Sequence, residues 1–354
     1  MTLNDIAAHR LQCQQLNGSA FKKAADVIKW FGAIQGQEYA QSKWGIGLRL
    51  PHLDDPAIEK EITDGKIIRT HLLRPTWHLV AAADLRWMLM LTAPRISAIN
   101  AYMYRKMELN DALFKRCHGI FEKALRGNKH LTREELSKTL KEHGIEAEGT
   151  RLVCILMHAE LAALICSGKR QGNQFTYALL EERVKPVKEK TREEALVELT
   201  KRYFKSRGPA TLKDYSTWSG LSLTDCKKGI ALTGSLFTKE VIEKETYFFE
   251  PQSIKPLINK IQLLPIYDEL IMGYKNRDAV LQFKHHSAKT FTFDNTILME
   301  GQITGTWRRS IKAKTIELEY QMLKPLSRSQ KAGFMKVIQR FGEFYKLPVQ
   351  VRKP

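Results

Sequence analysis

Cysteine is scarce in this chain: five residues in 354 (Cys13, Cys117, Cys154, Cys166, Cys226), none spaced C-x-x-C. An odd, scattered set excludes a disulfide frame and a thiolate zinc site, and fits buried free thiols in a reducing compartment. Long apolar runs are lacking as well. The longest, Leu152 to Cys166, is interrupted by His158 and Glu160, so nothing reaches the roughly 18 apolar residues that span a membrane. The start, Met1 to Gln12, has neither the basic nor the apolar region of a secretory signal, which predicts a cytoplasmic protein. G-x-G-x-x-G, P-loop and G-x-S-x-G patterns are absent, which argues against nucleotide-cofactor enzymes and serine hydrolases. Acidic charge is also in deficit, 38 Asp+Glu against 57 Lys+Arg, a net of +19. A surplus of that size points to a polyanionic partner.

What is present is enough for folded cores. The chain is longer than one core usually supports, and 43% of it is hydrophobic, so two or more domains are expected. The basic surplus is concentrated: residues 301–354 hold twelve Lys/Arg against three Glu. These charges alternate with apolar residues, which predicts display on a folded face and not in a tail.

The segmentation repeats. Phe21 to Ala40 reads as a helix from its apolar spacing, Trp44 to Leu50 as a short strand or loop, and Pro56 to Asp64 as a helix. Lys66–Ile68 and Arg74–Val80 then read as hairpin arms. Helix, helix, helix, hairpin is the order of a winged helix. In a second copy, Thr132 and Glu135 form a capping box, Thr150–Ile165 is helical, and Leu164–Leu179 is a hairpin whose tip runs from Ser167 to Asn173. A third copy comprises Arg192–Lys205, a helix capped at Thr211, Ser222–Thr233, and strands within Leu236–Phe249. From Lys255 onward, short β-like runs (Gln262–Tyr267, Val280–Lys284, Thr290–Phe293, Thr296–Trp307, Thr315–Leu323) precede the helix Ser329–Tyr345. The expected fold is α+β and multidomain: three tandem winged-helix (helix-turn-helix) units, 1–125, 126–188 and 189–254, and a β-rich, barrel-like basic domain, 255–354.

Two histidine motifs invite a metal reading and fail it. His158-Ala159-Glu160 has the H-x-E form of zinc deaminases but lacks the accompanying P-C-x-x-C, so a structural role is expected. His285 and His286 are neighbours in a β-like run and point to opposite faces. No metal or other cofactor is expected, and Gly301-x-x-x-Gly305 lies in a β-like run where it cannot pair helices. Trp307-Arg308-Arg309 offers an aromatic plane and two guanidinium forks suited to a base and to phosphate; a core Trp beside two solvated arginines reads equally well. Lys169 and Arg170 at the hairpin tip are expected on DNA. Gln35-Gly36-Gln37 closes the first predicted helix. On an unbroken helix residues two apart diverge by ~200°, so the amides converge only if Gly36 breaks it; spacing alone favours two exposed glutamines flanking a helix-ending glycine.

Taken together, these segments resemble the AlkZ-like winged-helix DNA glycosylases. The resemblance rests on Gln35-Gly36-Gln37, on Leu73-Arg74-Pro75-Thr76-Trp77-His78-Leu79-Val80, and on Gly208-Pro209-Ala210-Thr211 with Trp218-Ser219-Gly220-Leu221. It rests further on Leu263-Leu264-Pro265-Ile266-Tyr267-Asp268-Glu269 with Gly273-Tyr274-Lys275-Asn276-Arg277, and on Gly301 to Arg308. The resemblance implies excision of N-alkylated bases, in some members interstrand-crosslink unhooking, with Gln35 and Gln37 catalytic. Gly36 stands where the family carries an aliphatic residue, and Pro75 where a small residue is usual. Glu38, Thr76 and His78 are accessory candidates, and Arg74 a DNA contact. A cationic alkylpurine is already a good leaving group, so a neutral amide that holds water against C1′ suffices. No lysine belongs to the motif, which implies hydrolysis without strand cleavage. The expected partner is alkylated duplex DNA, bound by a monomer on the nucleoid; a non-catalytic winged-helix regulator is the alternative.

Overall fold

The computed structural model describes residues 1–257, 260–281 and 294–352. Helix α1 (Leu3–Cys13), started by a Thr2/Asp5 capping box, precedes a succession that occurs three times. First come α2 (Ala24–Phe31), β1 (Ala33–Gln35), α3 (Tyr39–Arg49), α4 (Asp55–Thr63), β2 (Ile67–Leu72) and β3 (Thr76–Ala81). The long helix α5 (Ala82–Lys106) follows. Next are α6 (Asp111–Leu125), β4 (Leu131–Thr132), α7 (Arg133–Glu142), α8 (Gly149–Leu161), β5 (Ile165–Ser167) and β6 (Thr176–Leu179), closed by α9 (Leu180–Arg183). The last copy is α10 (Arg192–Arg207), β7 (Ala210–Thr211), α11 (Leu212–Ser219), α12 (Leu223–Leu232), β8 (Thr238–Ile242) and β9 (Glu245–Phe249).

Each copy builds a three-stranded sheet of one topology: β1-β3-β2, β4-β6-β5 and β7-β9-β8. In each, a short strand from between the first two helices pairs with the returning arm of the hairpin. Local chemistry starts the helices: Thr132 with Glu135 and Thr211 with Asp214 form reciprocal capping boxes, and Asp54 caps α4.

Two expected elements differ. Gly32 adopts φ +79 and ends α2 at Phe31, so Gln35 belongs to a strand and not to a helix. Ala33, Ile34 and Gln35 are buried on both faces, which imitated a continuing apolar stripe. Trp44 to Arg49 is helical, because Trp44 and Ile46 pack into the core that α3 shares with the C-terminal region.

That region comprises β10 (Ile261–Leu264), α13 (Glu269–Met272), β11 (Asn295–Met299), β12 (Gln302–Ile311), β13 (Ile316–Met322), α14 (Arg328–Tyr345) and β14 (Val349–Arg352). The strands make one open sheet, ordered β10-β11-β12-β13-β14, with only β13–β14 parallel. The barrel-like closure expected from sequence is therefore replaced by an open sheet among the described residues. Helix α14 covers a face of it through Phe334, Ile338, Phe341 and Phe344. One core joins the first repeat to this sheet and another joins it to the third repeat. The five cysteines are free and buried, and no helix of the described residues is long and apolar enough to cross a membrane.

Candidate active site

Strand β1 carries the glutamine motif along the edge of its sheet. Its register on β3 pairs Ala33 with Val80, Ile34 with Leu79 and Gln35 with His78. The ladder continues one residue further, since the Gly36 N–H donates to the Trp77 carbonyl at 2.7 Å. On an extended backbone, residues two apart share a face. Gln35 therefore lies on the side of His78 and Thr76, while Gln37 follows in the bend after the strand, its Oε1 within reach of the Trp77 N–H. The helix that would set the two glutamines apart ends before them, at Phe31.

Gly36 is there for closeness, with no left-handed angle involved. A Cβ at this position would lie 3.1 Å from the His78 carbonyl carbon and 3.2 Å from the Leu79 nitrogen, both backbone atoms of β3. The Arg69 Nε donates to the Gly36 carbonyl at 2.9 Å, so both peptide groups of this residue are engaged.

Gln35 is buried and fixed at three points. Its backbone N–H donates to Glu269 Oε1 at 2.8 Å, its carbonyl accepts from the Ser42 hydroxyl at 2.9 Å, and its Oε1 accepts from Arg74 Nη2 at 3.1 Å. Because Arg74 can only donate, the amide nitrogen of Gln35 is the end left for a ligand or water. Glu269 anchors the arrangement from the far end of the sequence. Its Oε2 accepts from Arg207 Nη2 at 2.6 Å, Arg207 Nε at 3.2 Å and Trp218 Nε1 at 3.0 Å. Arg207 also donates to the carbonyls of Phe31 and Ala33, and its guanidinium lies 4.1 Å from the Trp218 ring. Carboxylate and guanidinium are both fully buried, and together they hold the end of α2 and the start of β1. The neighbouring Asp268 forms a second buried pair, bidentate to Arg49. Sequence reasoning quoted Trp218, Asp268 and Glu269 as motif residues without a role, and missed Arg207 and Arg69. A buried-pair partner distant in sequence leaves no local signal.

His78 is fully buried. Its Nδ1 lies 2.9 Å from the Thr76 carbonyl, and a carbonyl only accepts, so Nδ1 carries the proton and Nε2 a bare lone pair. Burial, and then the positive charge of Arg74, hold its pKa well below the ordinary histidine range. Three buried polar atoms of this hairpin lack a hydrogen-bond partner among the described residues: His78 Nε2, Thr76 Oγ1 and Arg74 Nε. Such a group suits a bound water or substrate atom, which needs two to four polar contacts. Gln37 is exposed, and its Oε1 is 3.5 Å from the Trp77 N–H. Glu38, also exposed, immediately precedes α3, and its charge acts weakly on Arg69.

The expected DNA contacts divide. Lys169 and Arg308 are exposed. Arg170 turns inward, 3.7 Å from Glu59 and over the Tyr39 and Phe175 rings at 5.3 and 5.4 Å. Arg74 serves Gln35 and the Thr217 carbonyl. Trp307 is 1% exposed, donates its indole N–H to the Leu264 carbonyl and packs on Phe341. Its ring offers no free face to a base, so the core-Trp alternative is the one its placement fits. Arg309 shares that side of β12 and sits 5.6 Å from the Tyr345 ring.

Of the histidine motifs, Glu160 accepts from His71 at 2.5 Å in the interior, and His158 stacks on Phe114 at 3.7 Å. His285 and His286 lie outside the described residues. No group of three or more potential metal ligands occurs among the described residues.

Comparison with known proteins bears on these elements together. An interstrand DNA cross-link repair glycosylase of Streptomyces sahachiroi is 23% identical over 325 residues, 85% of this chain and 86% of that protein. The solved structure of Streptomyces sahachiroi DNA glycosylase AlkZ superposes with a TM-score of 0.79 over 99% of this chain and all of that one, at 19% identity. A family model described as DNA glycosylase AlkZ-like matches residues 28–344, and the chain belongs to that family.

Proposed function

We propose that this protein is a monofunctional DNA glycosylase that hydrolyses the N-glycosidic bond of cationic N-alkylated bases in duplex DNA. The observation that carries this reading is the edge strand that sets Gln35 opposite His78, oriented by Arg74 and Glu269, with Gln37 two residues on at the Trp77 N–H. In the proposed step the C1′–N bond breaks and its electron pair neutralises the cationic base. A water held by the glutamine amides forms the new C1′–O bond and loses a proton. Amides are too weakly basic to take that proton; the bare Nε2 of His78, the cross-strand partner of Gln35, is assigned that role. An oxygen bonding to an oxocarbenium-like carbon is strongly acidic, so a weak base serves.

Recognition is assigned to the three repeated units, read as winged helices on the strength of their common sheet order. Lys169, Arg308 and the basic C-terminal region would meet phosphates. The name of the Streptomyces relative supports extending the substrate class to interstrand crosslinks, whose N-alkyl linkages share the cationic leaving group. The test is incubation with duplex containing N7-methylguanine, followed by heat or alkali to break the strand at abasic sites. Breaks at the lesion are expected. A protein that binds several N-alkylated duplexes and releases no base from any of them is a non-catalytic regulator.

A further inference from the structure

On the other side of the β1–β3–β2 sheet from Gln35, the first hairpin and the second enclose a cleft of about 640 Å³, within the roughly 300–1,000 Å³ of small-molecule sites. Trp77, Phe175 and Tyr177 supply its aromatic walls, Arg69 one end, and Glu134 and Glu148 another part of its lining. Arg69 is 8% exposed. Its Cζ lies 4.1 Å from the Trp77 ring centre and 4.5 Å from that of Phe175, so a planar cation already sits between the two rings. Nε is used by the Gly36 carbonyl, and the two terminal nitrogens donate to nothing among the described residues. Neither terminal nitrogen is among the buried atoms without a partner, so the fork opens into the cleft, where an acceptor on a ligand can replace water. Phe175 packs edge-on against Tyr39 at 5.0 Å and is 37% exposed, so part of its ring is open at the cleft.

We propose that this cleft binds an unpaired nucleobase of the DNA, distinct from the base presented to Gln35. Planar walls suit a π-face, the Arg69 fork suits a carbonyl or ring-nitrogen acceptor edge, and the carboxylates suit exocyclic amino groups. Alternation along β3 makes it a second base: Trp77 faces the cleft while His78 and Thr76 lie on the side of Gln35, so one nucleotide cannot occupy both sides. Extruding a lesion leaves neighbouring or opposing bases without a partner, and the cleft would hold one of them. The link to the motif is direct, because Arg69 and Trp77 both bond to Gly36.

The proposal rests on duplex DNA being the substrate, but its test reads binding and not excision. The full chain is titrated against a duplex carrying one bulged 2-aminopurine and against the same duplex fully paired. Wild-type protein should favour the bulged duplex about tenfold, the scale of one stacked base, and quench its fluorescence. Phe175→Ala should lose the preference and the quenching and Phe175→Trp should keep both, with affinity for the paired duplex unchanged in each at a temperature where both variants are folded. Retention of preference by Phe175→Ala, or no preference in the wild type, overturns the cleft assignment. Base release from N7-methylguanine duplex, measured in parallel, separates the readings. Release with an unaltered Phe175→Ala preference refutes the cleft alone, and the expected binding pattern without release refutes the glycosylase reading alone.

Discussion

Changing Glu269 to Gln removes one charge and almost no volume, yet it should be among the most damaging single substitutions in the protein. The carboxylate receives four hydrogen bonds: the Gln35 N–H on one oxygen, and two from Arg207 and one from Trp218 on the other. A glutamine has one acceptor oxygen. If it faces Gln35, its NH2 points at the donors of Arg207 and Trp218; if it faces them, its NH2 points at the Gln35 N–H. Either way buried donors lose their acceptor, at about 1–3 kcal/mol each, and Arg207 is left as a buried charge without its counter-ion. The expected loss is about 3–5 kcal/mol, the usual result of removing one partner of a buried pair. Urea denaturation should show a lower midpoint with unchanged slope, the mark of lost stability rather than altered compactness. Because the same carboxylate holds β1, the excision rate should also fall under conditions where the variant remains folded. A Glu269→Gln protein within about 1 kcal/mol of wild type would refute the reasoning that this pair fixes the motif strand.

Gln35→Ala and Gln37→Ala should each slow excision at saturating protein by roughly 10²–10³ while leaving duplex affinity nearly unchanged, as for an oriented dipole felt mainly in the transition state; single-turnover rates against binding titrations check this, and equal losses in both would contradict it. Duplex affinity should fall with salt by a slope of about −0.9 per phosphate neutralised. Lys169→Ala should flatten that slope by about one contact with stability held within about 0.5 kcal/mol, whereas an affinity indifferent to salt would remove the electrostatic reading. Burial lowers the pKa of His78, of His118 to about 4, and of His9, His130 and His158. These groups take up protons less readily when folded than when unfolded, where they titrate near 6.5, so folding is not penalised above about pH 6.5 and stability falls as pH drops below it. The urea midpoint should therefore drop between pH 7.5 and 5, and a rise would contradict the sign.

By itself the sequence determined what depends on neighbours in the chain. The capping boxes at Thr132 and Thr211, the helix–helix–hairpin order of the second and third repeats, the scattered free cysteines and the basic C-terminal surplus all follow from local spacing or composition, and the structure carries them. Tertiary structure decided what depends on contacts across the chain. A stretch buried on both faces has the same apolar content in a helix or a strand, so Ala33–Gln35 could only be settled by β3 lying alongside it. The role of Gly36 is equally non-local, since what excludes a side chain there is backbone 42 or more residues away. Trp307 and Arg309 looked as suited to DNA as Arg308 because a strand shows its inward and outward residues in one run. Only α14, packed against one side of the sheet, made Trp307 core and left Arg308 outside. The carboxylate that fixes Gln35 comes from 234 residues further along the chain, a separation at which no periodicity, cap or turn signal relates two residues, and folding alone brings them into contact.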